Sequence, residues 1–267
     1  MVLAPVLALL AVTAAEPIRI GFYAPLSGGS APLGQALRNG ARLAVEEVNA
    51  AGGVLGRPLA LVERDDEARP EKGAAVVKEL VDAERVVALV GPGNTGVANA
   101  STGLAQERKI PHLVPSATGN KVNELFAEFP QSYVFRLAAS DAVQSQMMVT
   151  EAFAARGLTR VALLCDESPY GAQGRARVEA LVARRGAALA YVGTFKVGDK
   201  DMSTQVAAAR AAGSQAILLY ALGAEAAAVA RALEKLAWRV PVLGTWNLSN
   251  PGYLKDAGPY GEGALTP

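Results

Sequence analysis

Two short loops carry side chains suited to holding a small anion: Val90-Gly91-Pro92-Gly93-Asn94-Thr95-Gly96 and Val114-Pro115-Ser116-Ala117-Thr118. Each follows an apolar, strand-like run (86–90 and 112–114) and precedes a segment of helical character. Neighbouring parallel strands would open both loops at one sheet edge, where hydroxyls and backbone N–H groups converge on a single ligand. The hydroxyls of Thr95, Ser116 and Thr118 can donate to a carboxylate without a countercharge, which suits an anion shut away from water. Ser and Thr also cap helices routinely. Two such loops on adjacent strand ends favour binding over capping alone.

Other chemistries lack their reagents. The first loop reads literally as G-x-G-x-x-G, but a dinucleotide site needs an acid roughly 20 residues further on to hold the ribose. That distance falls on 110–116, which contains neither Asp nor Glu, and no P-loop lysine follows the glycines. The sole histidine, His112, lies on a short strand, and no G-x-S-x-G elbow or His/Cys metal spacing occurs. Asp65-Asp66-Glu67 and Asp166-Glu167 fall at strand ends, where loop and cap roles explain them. Cys165 is the only cysteine and sits in an apolar strand pattern, so it is a packed thiol without a disulfide partner in the chain. No enzyme, no metal and no cofactor are expected.

The elements that must position the loops alternate strand and helix. Strands are predicted over 18–23, 59–62, 86–90, 112–114 and 133–137, then 160–165, 189–192, 217–220 and 240–243. Helices are predicted from the spacing of Leu37, Ala41, Val45 and Val48, and of Val76, Val77, Leu80 and Val81. Further helices are expected from about Val97, over 147–155, over 170–185 and through the Ala-rich 224–237. Repetition of βα units implies parallel sheets covered on both faces. The restart of the pattern after 133–140 divides the chain into two doubly wound α/β lobes. The first spans 16–136 and the second, incomplete, spans 137–260. Residues 261–267 read as the start of a strand crossing back towards the first lobe, in a chain truncated at its C-terminus.

Composition agrees with a folded, extracytoplasmic protein. The 267 residues are 51% hydrophobic with a formal net charge of +1, enough apolar material for two cores and too little charge for nucleic acid or an anionic membrane surface. Residues 1–15 are almost wholly apolar and end Ala11-Val12-Thr13-Ala14-Ala15, the pattern of a signal peptide core and its small-residue cleavage site.

The chain resembles the periplasmic substrate-binding proteins of the branched-chain amino acid (leucine/isoleucine/valine-binding) type. The resemblance is carried by Ile20-Gly21-Phe22-Tyr23-Ala24-Pro25-Leu26-Ser27-Gly28, by Gly40-Ala41-Arg42-Leu43-Ala44, and by Val48 through Gly56. Asp65-Asp66, Val90-Gly91-Pro92, Ile110-Pro111, Pro115-Ser116-Ala117-Thr118 and Tyr170-Gly171 follow in the same order. It implies a type I periplasmic binding fold, two lobes with a ligand cleft between them, and delivery of ligand to an ABC permease in the inner membrane. The implied protein is a periplasmic monomer that takes a small-molecule ligand and no nucleic acid. A ligand-sensing receptor or regulator domain is the alternative on the same fold.

Carried over residue by residue, the resemblance implies a carboxylate-binding hydroxyl at Thr95, a ligand head held at Ser116, Ala117 and Thr118, and a closing tyrosine at Tyr170. Three positions depart from the pattern. Leu33 stands where an aromatic often covers the ligand, Leu222 where a second tyrosine is common, and Trp246 where an acid pairs with the amino acid's ammonium. A buried ammonium without a countercharge is costly, and an indole face returns only about 1–2 kcal/mol. Unless Asp166, Glu167 or Glu225 substitutes, these residues favour a carboxylate with an apolar or aromatic body. Ligand class is therefore left between a branched-chain amino acid and a related organic acid.

Overall fold

The computed structural model describes residues 16–267, and the signal-peptide expectation for 1–15 lies outside the described residues. In chain order the first half runs β1 (Ile18–Ala24), α1 (Ala31–Ala50), β2 (Leu59–Asp65), α2 (Pro70–Asp82), β3 (Ala88–Val90), α3 (Thr95–Glu107), β4 (His112–Val114), α4 (Lys121–Glu124) and β5 (Val134–Arg136). The second half begins with α5 (Asp141–Thr150), which widens into a π-helical turn over Glu151–Ala155. It continues with β6 (Val161–Asp166), α6 (Pro169–Ala183), β7 (Tyr191–Phe195), α7 (Ser203–Ala211), β8 (Ala216–Tyr220), α8 (Gly223–Lys235), β9 (Val242–Gly244) and α9 (Pro251–Asp256).

The strands form two parallel sheets, ordered β2-β1-β3-β4-β5 and β7-β6-β8-β9. Each sheet reverses direction once, between β1 and β3 and between β6 and β8. That topological switch point opens a crevice beyond the carboxyl ends of the strands. Register fixes which loops meet there: Val90 pairs with Leu113, so the loops after β3 and β4 leave the first sheet side by side.

The second sheet is buried on both faces, as βαβ crossovers that place helices there dictate, whereas Leu113 and Phe135 of the first sheet stay exposed. In the second lobe all six residues of β6 are buried. Leu164, Ile217 and Leu219 face α7 and α8, while Leu163, Cys165 and Leu218 face α5 and α6. The first lobe packs Val76, Val77, Leu80, Leu89 and Val97 on one side, with a second cluster around Val114, Ala117 and Val122. Cys165 is buried and burial pushes its thiol up to about 12, consistent with a packing role.

The structure differs from the sequence pattern in several places, of which four bear on the second lobe. α5 begins at Asp141 rather than near Met147, because Ser140 and Asp141 give it an extended entry and an acidic first turn. β7 lies two residues later than the apolar run predicts, pairing Tyr191 with Ala162 and Phe195 with Asp166. α7 was not predicted, since its buried residues are only Val206 and Ala209 in an Ala-rich stretch. The tail at 261–267 is held by the second sheet: Leu265 bridges Leu243 in parallel, and its N–H donates to Val242 O at 2.9 Å.

Candidate functional site

The switch points of the two sheets face each other, and the loops leaving them enclose a small internal space. All eight residues singled out by sequence line it. Leu33, Thr95, Ser116, Ala117 and Thr118 come from the first lobe, and Tyr170, Leu222 and Trp246 from the second. Gly93, Asn94 and Asn247 complete the wall. The space amounts to about 10 Å³, room for one water molecule, whereas small-molecule sites span roughly 300–1,000 Å³. A larger hollow of about 300 Å³, bounded by Met147, Met148, Leu243, Leu265 and Pro267, is mostly apolar, with Glu151 and Thr266 as its polar lining.

Helix starts supply much of the polarity. Thr95 is the first residue of α3, Tyr170 the second of α6, and Leu222 immediately precedes α8. Each start turns the positive end of a helix dipole towards the same space, although at α6 Pro169 has no N–H and Gly171 N is capped by Ser168 Oγ at 3.3 Å. That convergence follows from parallel topology, in which every strand leads into a helix pointing away from the crevice.

Hydrogen-bond direction assigns each hydroxyl a role. Thr95 is buried, and its Oγ1 accepts from Gly119 N at 3.1 Å, which leaves its own hydrogen free to donate. Only glycine fits at 119, because a Cβ there would stand 2.2 Å from Thr95 Cγ2. Ser116 departs from expectation: its Oγ donates to Gly93 O at 3.0 Å, so towards the cavity it acts as an acceptor, and donation from this residue falls to its backbone. Tyr170 is engaged at both ends of its hydroxyl, donating to Thr245 Oγ1 at 2.7 Å and accepting from Asn247 Nδ2 at 3.0 Å. It therefore offers the cavity its ring. Burial raises the Tyr170 phenol well above its ordinary range, so it stays neutral.

The Gly91 bend is what lets the first loop leave the sheet. Its φ of 136° lies in the region only glycine adopts freely, and a Cβ would meet Tyr23 O at 2.0 Å. Beneath it, Tyr23 hydrogen-bonds Ser101 Oγ at 2.7 Å and His112 Nε2 at 3.1 Å, and His112 Nε2 lies 2.9 Å from Gly91 O. Burial lowers His112 to about 4, so it is a neutral strut under the loop, as its strand position suggested.

The segment that crosses between the lobes is fastened to one loop of the first. Arg136 Nη1 donates to Thr118 O at 3.0 Å and to Gly119 O at 3.1 Å, and Asp141 N donates to Thr118 O at 3.0 Å. One turn along α5, Gln144 Oε1 accepts from Trp246 N at 3.0 Å. Sequence reasoning passed over Asp141 and Gln144, whose only local signal was a polar helix start after an apolar strand. Asn94 and Asn247 stood inside quoted motifs but drew no role. Among the described residues, no group of metal-ligating side chains is assembled, and no helix is long and apolar enough to cross a membrane.

Comparison with known proteins agrees with this architecture. The family profile described as "Periplasmic binding protein" matches residues 17–266. A Leu/Ile/Val-binding protein homolog 3 from Brucella melitensis is 29% identical over 248 residues, covering 93% of this chain and 66% of the relative. The solved leucine binding protein LivK of Thermotoga maritima superposes with a TM-score of 0.84 at 25% identity, covering 93% of this chain and 69% of that one. LivJ of Streptococcus pneumoniae, solved in complex with isoleucine, gives 0.80 at 26% identity over 91% and 68% of the two chains. The chain thus spans about two thirds of the length of the curated relatives it matches. The two parallel-sheet lobes have the type I periplasmic binding protein architecture, and the chain belongs to the periplasmic binding protein family.

Proposed function

We propose that the protein is the extracytoplasmic solute-binding component of an ABC uptake system, binding a branched-chain amino acid or a related small organic carboxylate by lobe closure. The observation that carries this reading is the convergence of Thr95 and Thr118 with Tyr170 and Trp246 on one space between the lobes. In this reading the Thr95 hydroxyl, the start of α3 and the backbone at 116–118 take the carboxylate. Leu33, Leu222, Trp246 and the Tyr170 ring enclose the apolar body.

Binding begins on one lobe and finishes with the other. A carboxylate docked at Thr95 meets unpaired N–H groups there without needing a lysine or arginine. Closure then brings the start of α6 and the Trp246 loop over it, excluding water and strengthening each hydrogen bond. The relatives named above are binding proteins, which supports a carrier rather than a catalyst. An inner-membrane permease as partner and a periplasmic, monomeric state belong to the same proposal.

The test is a thermal-shift screen of purified protein against the twenty amino acids and a set of branched and aromatic acids. A ligand at 100 times its Kd adds about 2.7 kcal/mol of stability, which a melting curve resolves easily. Stabilisation by at least one carboxylate is expected. Indifference to all of them, or conversion of any of them to product, would overturn the reading.

A further inference from the structure

Two threonines of the cavity wall, Thr95 and Thr118, are each followed by a glycine, Gly96 and Gly119, that does not line the cavity. Both glycines abut α6 of the other lobe instead. A Cβ built at 96 would stand 3.2 Å from Pro169 Cγ and 3.4 Å from Pro169 Cδ. Gln173 reaches the second glycine, where a Cβ would stand 3.3 Å from its Oε1. Pro169 and Gln173 lie one turn apart and share a face of α6.

The two glycines lack a side chain for different reasons. At 119 the demand comes from within the first lobe, where a Cβ would collide with Thr95 Cγ2 at 2.2 Å. At 96 it does not. Gly96 is the second residue of α3 and has no left-handed φ, so alanine would be the better helix former there. Apart from its chain neighbours and the helix backbone, the nearest atom of its own lobe is Pro70 Cγ, 3.5 Å from a Cβ and in ordinary van der Waals contact. The atoms that a methyl at 96 would press upon belong to Pro169. Proline suits that place: it opens α6, where no N–H is needed, and its ring cannot swing aside as a longer side chain would. Pro70 opens α2 in the same way, so Gly96 lies between two proline rings, one from each lobe.

We propose that Gly96 is the seat of lobe closure: its bare Cα admits the Pro169 ring, and the approach of α6 at this point sets how tightly the cavity shuts on a ligand. Thr95 and Gly96 then divide the work, one residue serving the ligand and the next serving the opposite lobe. The ligand part of this inference rests on the function proposed above; the contact between the lobes does not.

Two arms test it. In a protein carrying Gly96→Cys and Pro169→Cys, oxidation with diamide in the absence of ligand is expected to form an intramolecular disulfide, leaving the buried Cys165 as the one thiol titrated in denaturant. A chain that keeps all its thiols would overturn the proposal. The second arm follows Gly96→Ala and Gly96→Leu by calorimetry with L-leucine as the probe, alongside urea melts of the free proteins. Gly96→Ala should match or exceed the wild-type urea midpoint and yet weaken L-leucine at least threefold, and Gly96→Leu should weaken it at least thirtyfold. Adding Pro169→Ala to Gly96→Ala should bring Kd back within twofold of the Pro169→Ala single variant, a rescue that a local defect in α3 would not show. Equal affinity in wild type and Gly96→Leu would overturn the proposal, as would a Gly96→Ala deficit that persists without the Pro169 ring. Wild type that ignores L-leucine counts against the branched-chain arm of the function above, and the cross-link alone then decides the seat.

Discussion

Thr95 offers the sharpest test of the binding geometry, because its hydroxyl has two separable jobs. Oγ1 accepts from Gly119 N at 3.1 Å, and the hydrogen is left for a ligand. Thr95→Val keeps the shape and the methyl contact with Gly119 but removes both jobs. Losing the bond to Gly119 leaves a buried N–H unpaired and costs about 1–3 kcal/mol of stability. Losing a hydrogen bond to a carboxylate costs about 1.5–3 kcal/mol of binding free energy, a factor of roughly 10–150 in Kd. Thr95→Ser keeps the hydroxyl and should bind within about threefold of wild type, a margin of under 1 kcal/mol. Calorimetry with the most stabilising carboxylate from the screen, alongside urea melts of each variant, separates the two losses. A folded Thr95→Val protein that binds within twofold of wild type would refute the reasoning. A Thr95→Ser protein as weak as the valine variant would refute it too, since the deficit would then come from lost shape.

Two further predictions concern the frame around the site. Asp66 is fully buried at the end of β2, with Oδ2 unpartnered among the described residues, and burial raises it to about 6. A carboxyl with a raised folded pKa stabilises fully below its unfolded value near 4 and loses that contribution as pH rises through 6. Asp66→Asn should therefore gain about 2–3 kcal/mol over wild type at pH 7.5, an advantage that vanishes by pH 4; parallel urea midpoints at both pH values would count against this. Gly174 lies under Tyr220, where an added Cβ would stand 2.2 Å from the ring. Gly174→Ala should lose about 1–3 kcal/mol by overpacking, and a melting temperature equal to wild type would show that the Tyr220 ring moves aside freely.

Much of the fold was legible because parallel βα repeats write themselves in apolar runs punctuated by glycine and proline. The eight positions around the small cavity could be grouped for a related reason: each sits at a strand end or a helix start, and topology alone gathers such positions into one crevice. What resisted reading was set by contacts between distant segments. Whether Ser116 donates or accepts depends on Gly93 O, 23 residues away. Asp141 is one polar helix start among several until its N–H meets Thr118 O, 23 residues back in the chain. α7 went unread because alanines pack well without producing a strong apolar stripe.

The ties from Arg136 and Asp141 to Thr118 and Gly119 have a kinetic consequence. The chain that passes between the lobes is fastened to the very loop that the proposed function assigns to the ligand head. Swinging the second lobe outward therefore pulls on 118–119, and a ligand seated there resists the pull. Under the proposed function, release and lobe opening are then coupled. Loosening the tie with Arg136→Lys should shorten the residence time of a bound ligand more than it slows arrival, and a carrier tuned for quick hand-over could adjust its dwell time at this arginine without touching any residue of the cavity wall.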